Sequence, residues 1–348
     1  VIDPSTQGNQ PMISNCDTNI ISYNGEVYNF ASLKNDLISK GYQFTSLSDT
    51  ETLLNAYIEW GPTSFSLLEG MFAFAIWDDN SQTLHLARDR FGIKPLYYHI
   101  FQSGIVFGSE IKSILASGKT SSSMDWESLN QYLIYGTSLG KNTMFNGIRK
   151  LPPGYRLEVD LHGSRLIEYD SIYNVEETYD DTSIAIEKVK YLLDQSVSSH
   201  LVSDVPVGIF LSGGLDSSTI TAFASKHYEG KISTYSVGFD FDKGVNELKK
   251  AKRVADYFNT DHNELHVEGR NIPEVIEKLV LSHDEPFGDA ANIPLYLLSQ
   301  QLNKSIKVIL QGDGGDELFA GYRRYNILSK ERFWHWSAKI SLPFNYML

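Results

Sequence analysis

Val205-Pro206-Val207-Gly208-Ile209-Phe210-Leu211-Ser212-Gly213-Gly214-Leu215-Asp216-Ser217-Ser218 is the stretch whose reading decides the fold. Its first seven residues are apolar and of strand length, and Thr219-Ile220-Thr221-Ala222-Phe223-Ala224 behind it reads as a helix. A buried strand, a tight glycine turn and a helix start form a ready anion site. Backbone N–H groups point outward there, and the helix dipole favours negative charge. Two glycines let the main chain approach a phosphate without Cβ interference. The serines add hydroxyl donors, and Asp216 can hold a magnesium ion against the phosphate. A Gly-Gly turn that merely redirects the chain is the plain alternative, and the setting between strand and helix weighs against it.

The common nucleotide loop, G-x-x-x-x-G-K-S/T, needs a lysine that reaches the terminal phosphates, and no lysine follows these glycines. The S-G-G-x-D-S pattern resembles the ATP pyrophosphatase loop instead. That resemblance implies a grip on the leaving pyrophosphate and AMP-forming chemistry.

Downstream of the loop the pattern alternates. Strands are expected at 232–237, around 265–267 and at 306–310, with helices at 247–258, 272–281 and 293–302. Such alternation gives a doubly wound parallel sheet, whose ligands lie outside the carboxyl ends of the strands. The strand at 306–310 ends in Gln311-Gly312-Asp313-Gly314-Gly315-Asp316-Glu317. In a parallel sheet this loop and the one after Leu211 emerge at the same edge. Asp216 and Asp316 could then share a magnesium–pyrophosphate unit, since like charges that close need a cation between them. A simple turn before an acidic helix start is the alternative for the second loop. His262 and His266 follow H-x-E-x-H rather than H-E-x-x-H and are not expected to bind a metal.

Composition excludes other classes. The 348 residues suffice for two domains, and a net charge of −13 argues against a nucleic-acid-binding surface. Cys16 is the one cysteine, so no internal disulfide framework exists, and a lone cysteine is most often a small buried hydrophobe. No apolar run approaches the ~20 residues of a membrane span. The chain opens at Val1 without an initiator Met, and an N-terminally incomplete sequence is expected.

Residues 1 to about 118 read as short strands and turns. Ile20-Ile21-Ser22-Tyr23 is strand-like and is expected to end at Asn24-Gly25-Glu26, where Asn-Gly signals a hairpin turn. Phe30 to Lys40 has helical periodicity, with Leu33 and Leu37 on one face. Ser48-Asp49-Thr50-Glu51 is a helix start, with Asp49 a candidate N-cap. Phe72 to Trp77 is a buried strand that pairs across Asp79-Asn80 with Leu84 to Arg90. Farther on, Trp126 to Tyr135 is a short helix with Leu129, Tyr132 and Leu133 inward. The polar stretch from Glu176 to Ser183 marks the domain boundary. A long helix from there to Leu201 carries an apolar stripe of Ala185, Val189, Leu192, Leu193 and Val197, read as core.

The first half resembles the class II glutamine amidotransferase domain, an α-β-β-α sandwich with an N-terminal cysteine nucleophile. Tyr23 to Asn29, Ser48 to Glu51, Gly70 to Ala75 and Ala87 to Leu96 carry the likeness. It implies that Asn24 and Gly25 form an oxyanion hole, and that Glu26 and Asp49 hold glutamine, Asp49 receiving the α-ammonium. The family's terminal cysteine and its glutamine-carboxylate arginine have no counterpart here, and Cys16, with no terminal amine, cannot stand in. This polypeptide is therefore expected not to release glutamate from glutamine.

The whole chain is similar to glutamine-dependent asparagine synthetase. The second half carries this through Pro206 to Ser218, Ser236-Val237-Gly238-Phe239, Asp284 to Asp289 and Gly312 to Tyr322. The resemblance implies a glutamine amidotransferase domain at 1–165 and an incomplete ATP-binding domain of the adenine-nucleotide α-hydrolase type at 180–348. It implies base and ribose contacts at Leu211, Val237, Gln311 and Gly312, a pyrophosphate loop at Ser212, Gly213, Gly214, Asp216 and Ser217, and magnesium–pyrophosphate ligands at Asp216 and Asp316. Asp313 stands where many members carry a Glu that serves adenylation, and Asp284, Glu285 and Asp289 either shape the aspartate pocket or cap helices. The family has further helices and a catalytic lysine beyond the stretch that follows Phe333-Trp334-His335-Trp336. The expectation is a cytoplasmic ATP- and Mg2+-dependent ligase acting on glutamine and aspartate, without nucleic-acid or membrane partners, with a homodimer as the assembly considered. Two rivals stand beside it. One is a ligase for another acid on the same scaffold, a β-lactam synthetase or a sugar-acid amidotransferase. The other is a binding protein without catalysis.

Overall fold

The computed structural model describes residues 2–173, 181–239, 247–267, 272–286, 288–289, 291–302 and 306–330. In chain order the elements are β1 (Met12–Ile13), β2 (Asn19–Val27), α1 (Phe30–Ser39), α2 (Asp49–Trp60), β3 (Gly70–Asp78), β4 (Thr83–Arg88), β5 (Tyr97–Phe101), β6 (Gly104–Gly108), α3 (Ile111–Ala116), α4 (Trp126–Tyr135), β7 (Arg149–Lys150), β8 (Tyr155–Asp160) and β9 (Gly163–Glu168). They continue with α5 (Thr182–His200), β10 (Val207–Phe210), α6 (Leu215–His227), β11 (Ser233–Phe239), α7 (Leu248–Tyr257), β12 (Asp261–Val267), α8 (Ile272–His283), α9 (Asn292–Leu302), β13 (Val308–Leu310), α10 (Gly315–Leu318) and α11 (Arg323–Leu328). Two compact units result, one chiefly of residues up to 207 with 266–308, the other chiefly of 208–238, 242–265 and residues from 309 on. Helices α8 and α9 thus group with the first unit.

The first unit is built on a six-stranded sheet in the order β1-β2-β3-β4-β8-β9 and a three-stranded sheet in the order β6-β5-β7. Strand β3 shows why they stack. Phe72, Phe74 and Ile76 pack with Leu33, Leu53, Leu54 and Tyr57 of α1 and α2, while Ala73 and Ala75 pack with Leu96, Tyr98 and Leu151 on the side of the second sheet. The period-2 alternation puts large side chains under the helices and small ones between the sheets. Ile111 and Ile114 of α3 then cover the second sheet with Ile148. The order of layers is helix, sheet, sheet, helix.

Several local expectations are corrected. Strand β2 does not end at Asn24-Gly25. It runs on to Val27, with Gly25 opposite Phe72 and Val27 opposite Gly70. Ser48, not Asp49, caps α2, its hydroxyl accepting from the Thr50 N–H. Cys16 is exposed, its thiol between the hydroxyls of Ser14 and Thr18. Of the three α4 residues expected inward, Leu133 is 74 % exposed, and Leu129 and Tyr132 are half-buried. The stripe of α5 is not core. Val197 is buried, but Leu192 is 63 % and Val189 37 % exposed. The periodicity fixes which face is apolar but not whether the described residues supply a cover for it. Residues 176–180 of the expected boundary and Phe333 to Trp336 lie outside the described residues.

The second unit contains a four-stranded sheet in the order β12-β11-β10-β13, with β10 and β11 parallel and Gly208 opposite Ser233. The α/β alternation expected from the sequence is present, with a parallel pair at the centre of the sheet. Among the described residues no helix is long and apolar enough to cross a membrane.

Candidate active sites

In the first unit, Asp49 sits at the first turn of α2 and is only 4 % exposed. Its Oδ2 accepts from the Tyr23 hydroxyl at 2.7 Å and from the Val27 N–H at 2.9 Å. The two anchors flank Asn24, Gly25 and Glu26, so the fold brings Asp49 to the stretch expected to work with it. Gly25 is required by closeness, not by a turn. A Cβ there would meet Met71 O at 2.2 Å and Phe72 Cα at 2.7 Å. Asn24 is exposed, and its amide donates to Ser109 Oγ at 3.2 Å, just past β6.

Burial holds the Asp49 carboxyl above the usual carboxylate range. The Val27 and Tyr23 donors oppose the rise, and the neighbouring Glu26 charge adds to it. A buried acid beside a second acid is a place that an ammonium ion would relieve. For an acid with a raised folded-state pKa, the associated stability is present below the unfolded pKa and lost as pH rises through the folded one. Asp49→Asn is therefore expected to flatten the stability loss above about pH 4. Denaturant midpoints measured across that range check it, and curves parallel to the parent's would count against it.

Tyr23 and the Arg88-Asp89 pair escaped the sequence reading as organisers. Asp89 is fully buried, and its carboxylate collects the N–H groups of Phe72, Phe91, Ile93 and Lys94. Arg88 donates to the carbonyls of Lys94, Leu151 and Gly92. An Arg-Asp pair at a strand end, ahead of Gly and Pro, was the available signal. Glu51 is a third such residue. Four donors, the N–H groups and hydroxyls of Thr45 and Ser46, bond its carboxylate and hold the loop before α2.

In the second unit, Gly213 has φ +76, and a Cβ there would meet Ala251 N at 2.6 Å, so the turn is pressed against the start of α7. Ser212 and Ser217 close the loop. Their hydroxyls lie 3.0 Å apart, and the Gly214 N–H donates to Ser212 Oγ at 3.2 Å. No side chain caps α6, whose first turn carries Asp216. The second glycine loop lies against that turn. A Cβ on Gly312 would meet Asp216 Cβ at 2.9 Å, and one on Gly315 would meet its carboxylate carbon at 2.7 Å. The two loops therefore meet, each following one of the neighbouring strands β10 and β13.

Other expected contacts differ in character. The Leu211 side chain is buried with Ala251 and Ala255, and its N–H and carbonyl are taken by Tyr235 O and Ser236 Oγ. It offers a ligand no side-chain surface. Val237 is half-buried, and Gln311 donates to the exposed Asp313. Asp316 follows Gly315 directly, and its carboxylate fills the space a Gly321 Cβ would need. Among the described residues no group of three or more His, Cys, Asp or Glu is arranged for a metal. The Asp216 carboxylate against Gly315 is one oxygen donor of the kind a phosphate-bound magnesium ion takes. His262 is committed to Thr234, 2.9 Å away.

Asp284 and Glu285 are engaged by backbone N–H groups and lysines. Asp284 takes the Lys112 N–H at 3.1 Å and its ammonium at 3.3 Å, while Glu285 takes the Met144 N–H at 2.6 Å and the Lys150 ammonium at 3.2 Å. Asp289 accepts from the Ala291 N–H, one residue ahead of α9.

Comparison with known proteins agrees with both halves. A family model for the glutamine amidotransferase domain matches residues 1–170, and one for asparagine synthase matches 188–346. Glutamine-hydrolysing asparagine synthetases 1 and 3 of Bacillus subtilis are 36% and 34% identical to the chain over 91% and 94% of its length, covering 50% and 56% of theirs. A Penicillium rubens protein named amidase chyE is 30% identical over 99% of the chain and 53% of its own length. The chain thus spans about half the length of these curated relatives. Two family models are thus matched in tandem, and they establish that residues 1–170, with the Asp49 site, belong to the glutamine amidotransferase domain family and residues 188–346, with the paired glycine loops, to the asparagine synthase family.

Proposed function

We propose that the chain carries the glutamine site and the ATP site of an enzyme that converts L-aspartate to L-asparagine, its functional division following 1–165 and 180–348. The contact of Gly312 and Gly315 with Asp216 supports this reading, because it sets the second glycine loop against the helix start that follows the first. ATP lies with its phosphates on the Ser212–Ser217 turn and the N-terminus of α6, and its base toward Val237, Gln311 and Gly312. The aspartate side-chain carboxylate attacks the α-phosphorus, and pyrophosphate leaves with the P–O bond. Asp313 serves that adenylation. Magnesium, held by Asp216 and Asp316, would neutralise the pyrophosphate. Ammonia then attacks the acyl-adenylate, giving asparagine, AMP and a proton. In the first unit, Glu26 and Asp49 hold glutamine, with the α-ammonium on Asp49. Asn24 and Gly25 offer donors where the oxyanion of amide cleavage develops. Supply from glutamine spares the reaction the protonated ammonia that dominates in neutral water. A cytoplasmic homodimer completes the reading.

One second reading is a ligase for another carboxylic acid, which the same paired glycine loops would serve equally well. Acid-dependent exchange of labelled pyrophosphate into ATP, run on the intact protein that carries this chain, separates the two. Exchange that requires aspartate is expected. Exchange that requires a different acid would transfer the assignment to it.

A further inference from the structure

Resting on the reading above, we infer that the Asp284-Glu285 turn ties the ligase part of the chain to the glutaminase sandwich, and that these two carboxylates set how fully glutamine-derived ammonia is retained for amide formation. All the residues involved lie in the first unit. Asp284 and Glu285 fall within the asparagine synthase match, and Lys112, Met144 and Lys150 within the amidotransferase match. Each carboxylate spends one oxygen on a backbone N–H and the other on a lysine. Their side chains are 9% and 13% exposed, so neither is free for a substrate.

The tie is deliberate in its geometry. Asp284 holds φ +63, a left-handed conformation that costs a non-glycine residue energy unless its surroundings enforce it. Lys112 enforces it twice over, and its ammonium also donates to the Ser282 carbonyl at 3.2 Å. Lys150 is fixed in turn by Ser138 Oγ at 2.6 Å and by its place in β7, opposite Tyr97.

The tie also leads somewhere. Asn24, the candidate oxyanion residue, donates to Ser109 Oγ, and Ser109 lies three residues before Lys112 at the start of α3. One short turn therefore bears on the glutamine site at Ser109 and on the ligase segment at Lys112. Asp284 and Glu285 act as positioning residues through that turn and through β7.

The test measures glutamate released per pyrophosphate in the intact protein, for the parent, Asp284→Asn and Glu285→Gln, with ammonia as the alternative nitrogen source. Asparagine tolerates the left-handed backbone, so the first variant removes charge and keeps shape. The ratio is expected to rise on the order of fivefold, the lower end of ordinary coupling between sites. The ammonia-driven rate should stay within about twofold of the parent. The swap Glu285→Lys with Lys150→Glu should bring the ratio back toward the parent's. An unchanged ratio in both single variants overturns the inference, and so does an ammonia-driven rate that falls along with the glutamine-driven one. If the parent releases no pyrophosphate with either nitrogen source, the ligase reading itself fails and the coupling falls with it.

Discussion

Asp216→Asn is expected to lower acid-dependent pyrophosphate exchange about 100- to 1,000-fold, the range for removing one preorganised electrostatic contact from an active site. The side chain keeps its volume, and the glycines packed on it, Gly312 and Gly315, need not move. What is lost is one negative charge from an oxygen donor suited to a divalent cation. Folding should be little affected, since Asp216 stands at a helix start in a second unit whose core is Leu211, Ala251 and Ala255. Thermal denaturation without nucleotide checks this point. A variant that exchanges pyrophosphate within a few-fold of the parent would remove Asp216 from the site.

The second large effect concerns stability. Gly25→Ala is expected to destabilise the first unit by about 3 kcal/mol, at the upper end of overpacking costs, and to lower its melting temperature by roughly 5–10 °C. The added methyl would meet Met71 O and Phe72 Cα, which are backbone atoms of the paired strand and cannot turn aside as a side chain could. The strain falls at the seventh pair of a nine-residue ladder between β2 and β3. It must be relieved by parting two strands whose side chains build the core under α1 and α2. Chemical denaturation of the parent and the variant measures the cost. A difference below about 1 kcal/mol would show that the ladder yields there.

Legibility differed by region for physical reasons. The strand–turn–helix around Ser212 to Asp216 was readable because every feature of it is local. The run of apolar residues, the glycines and the following helix lie within about twenty positions. Alternation of large and small residues in β3 was likewise local, and it sets which side of the sheet meets helices. Asn24-Gly25 misled because glycine answers two different needs, a left-handed turn or a close approach of backbones, and only the partner strand tells them apart. Asp49 left two readings open, a helix cap or a partner for glutamine. Its neighbour Ser48 could cap the helix equally well, which left the carboxylate for Tyr23 and Val27. The α5 stripe shows the limit of periodicity, which gives a face its character without giving it a neighbour.

Sequence by itself determined the strand–helix alternation, the glycine loops and the families to which its two parts belong, because these reside in residue types at short spacing. Tertiary structure alone decided that Asp49 turns into the core beside Glu26, that Gly312 and Gly315 settle on Asp216, and that Asp284 and Glu285 pair with lysines. Each of those outcomes depends on an atom brought from a distant part of the chain. A carboxylate or a glycine takes its role from whatever the fold places within reach of it.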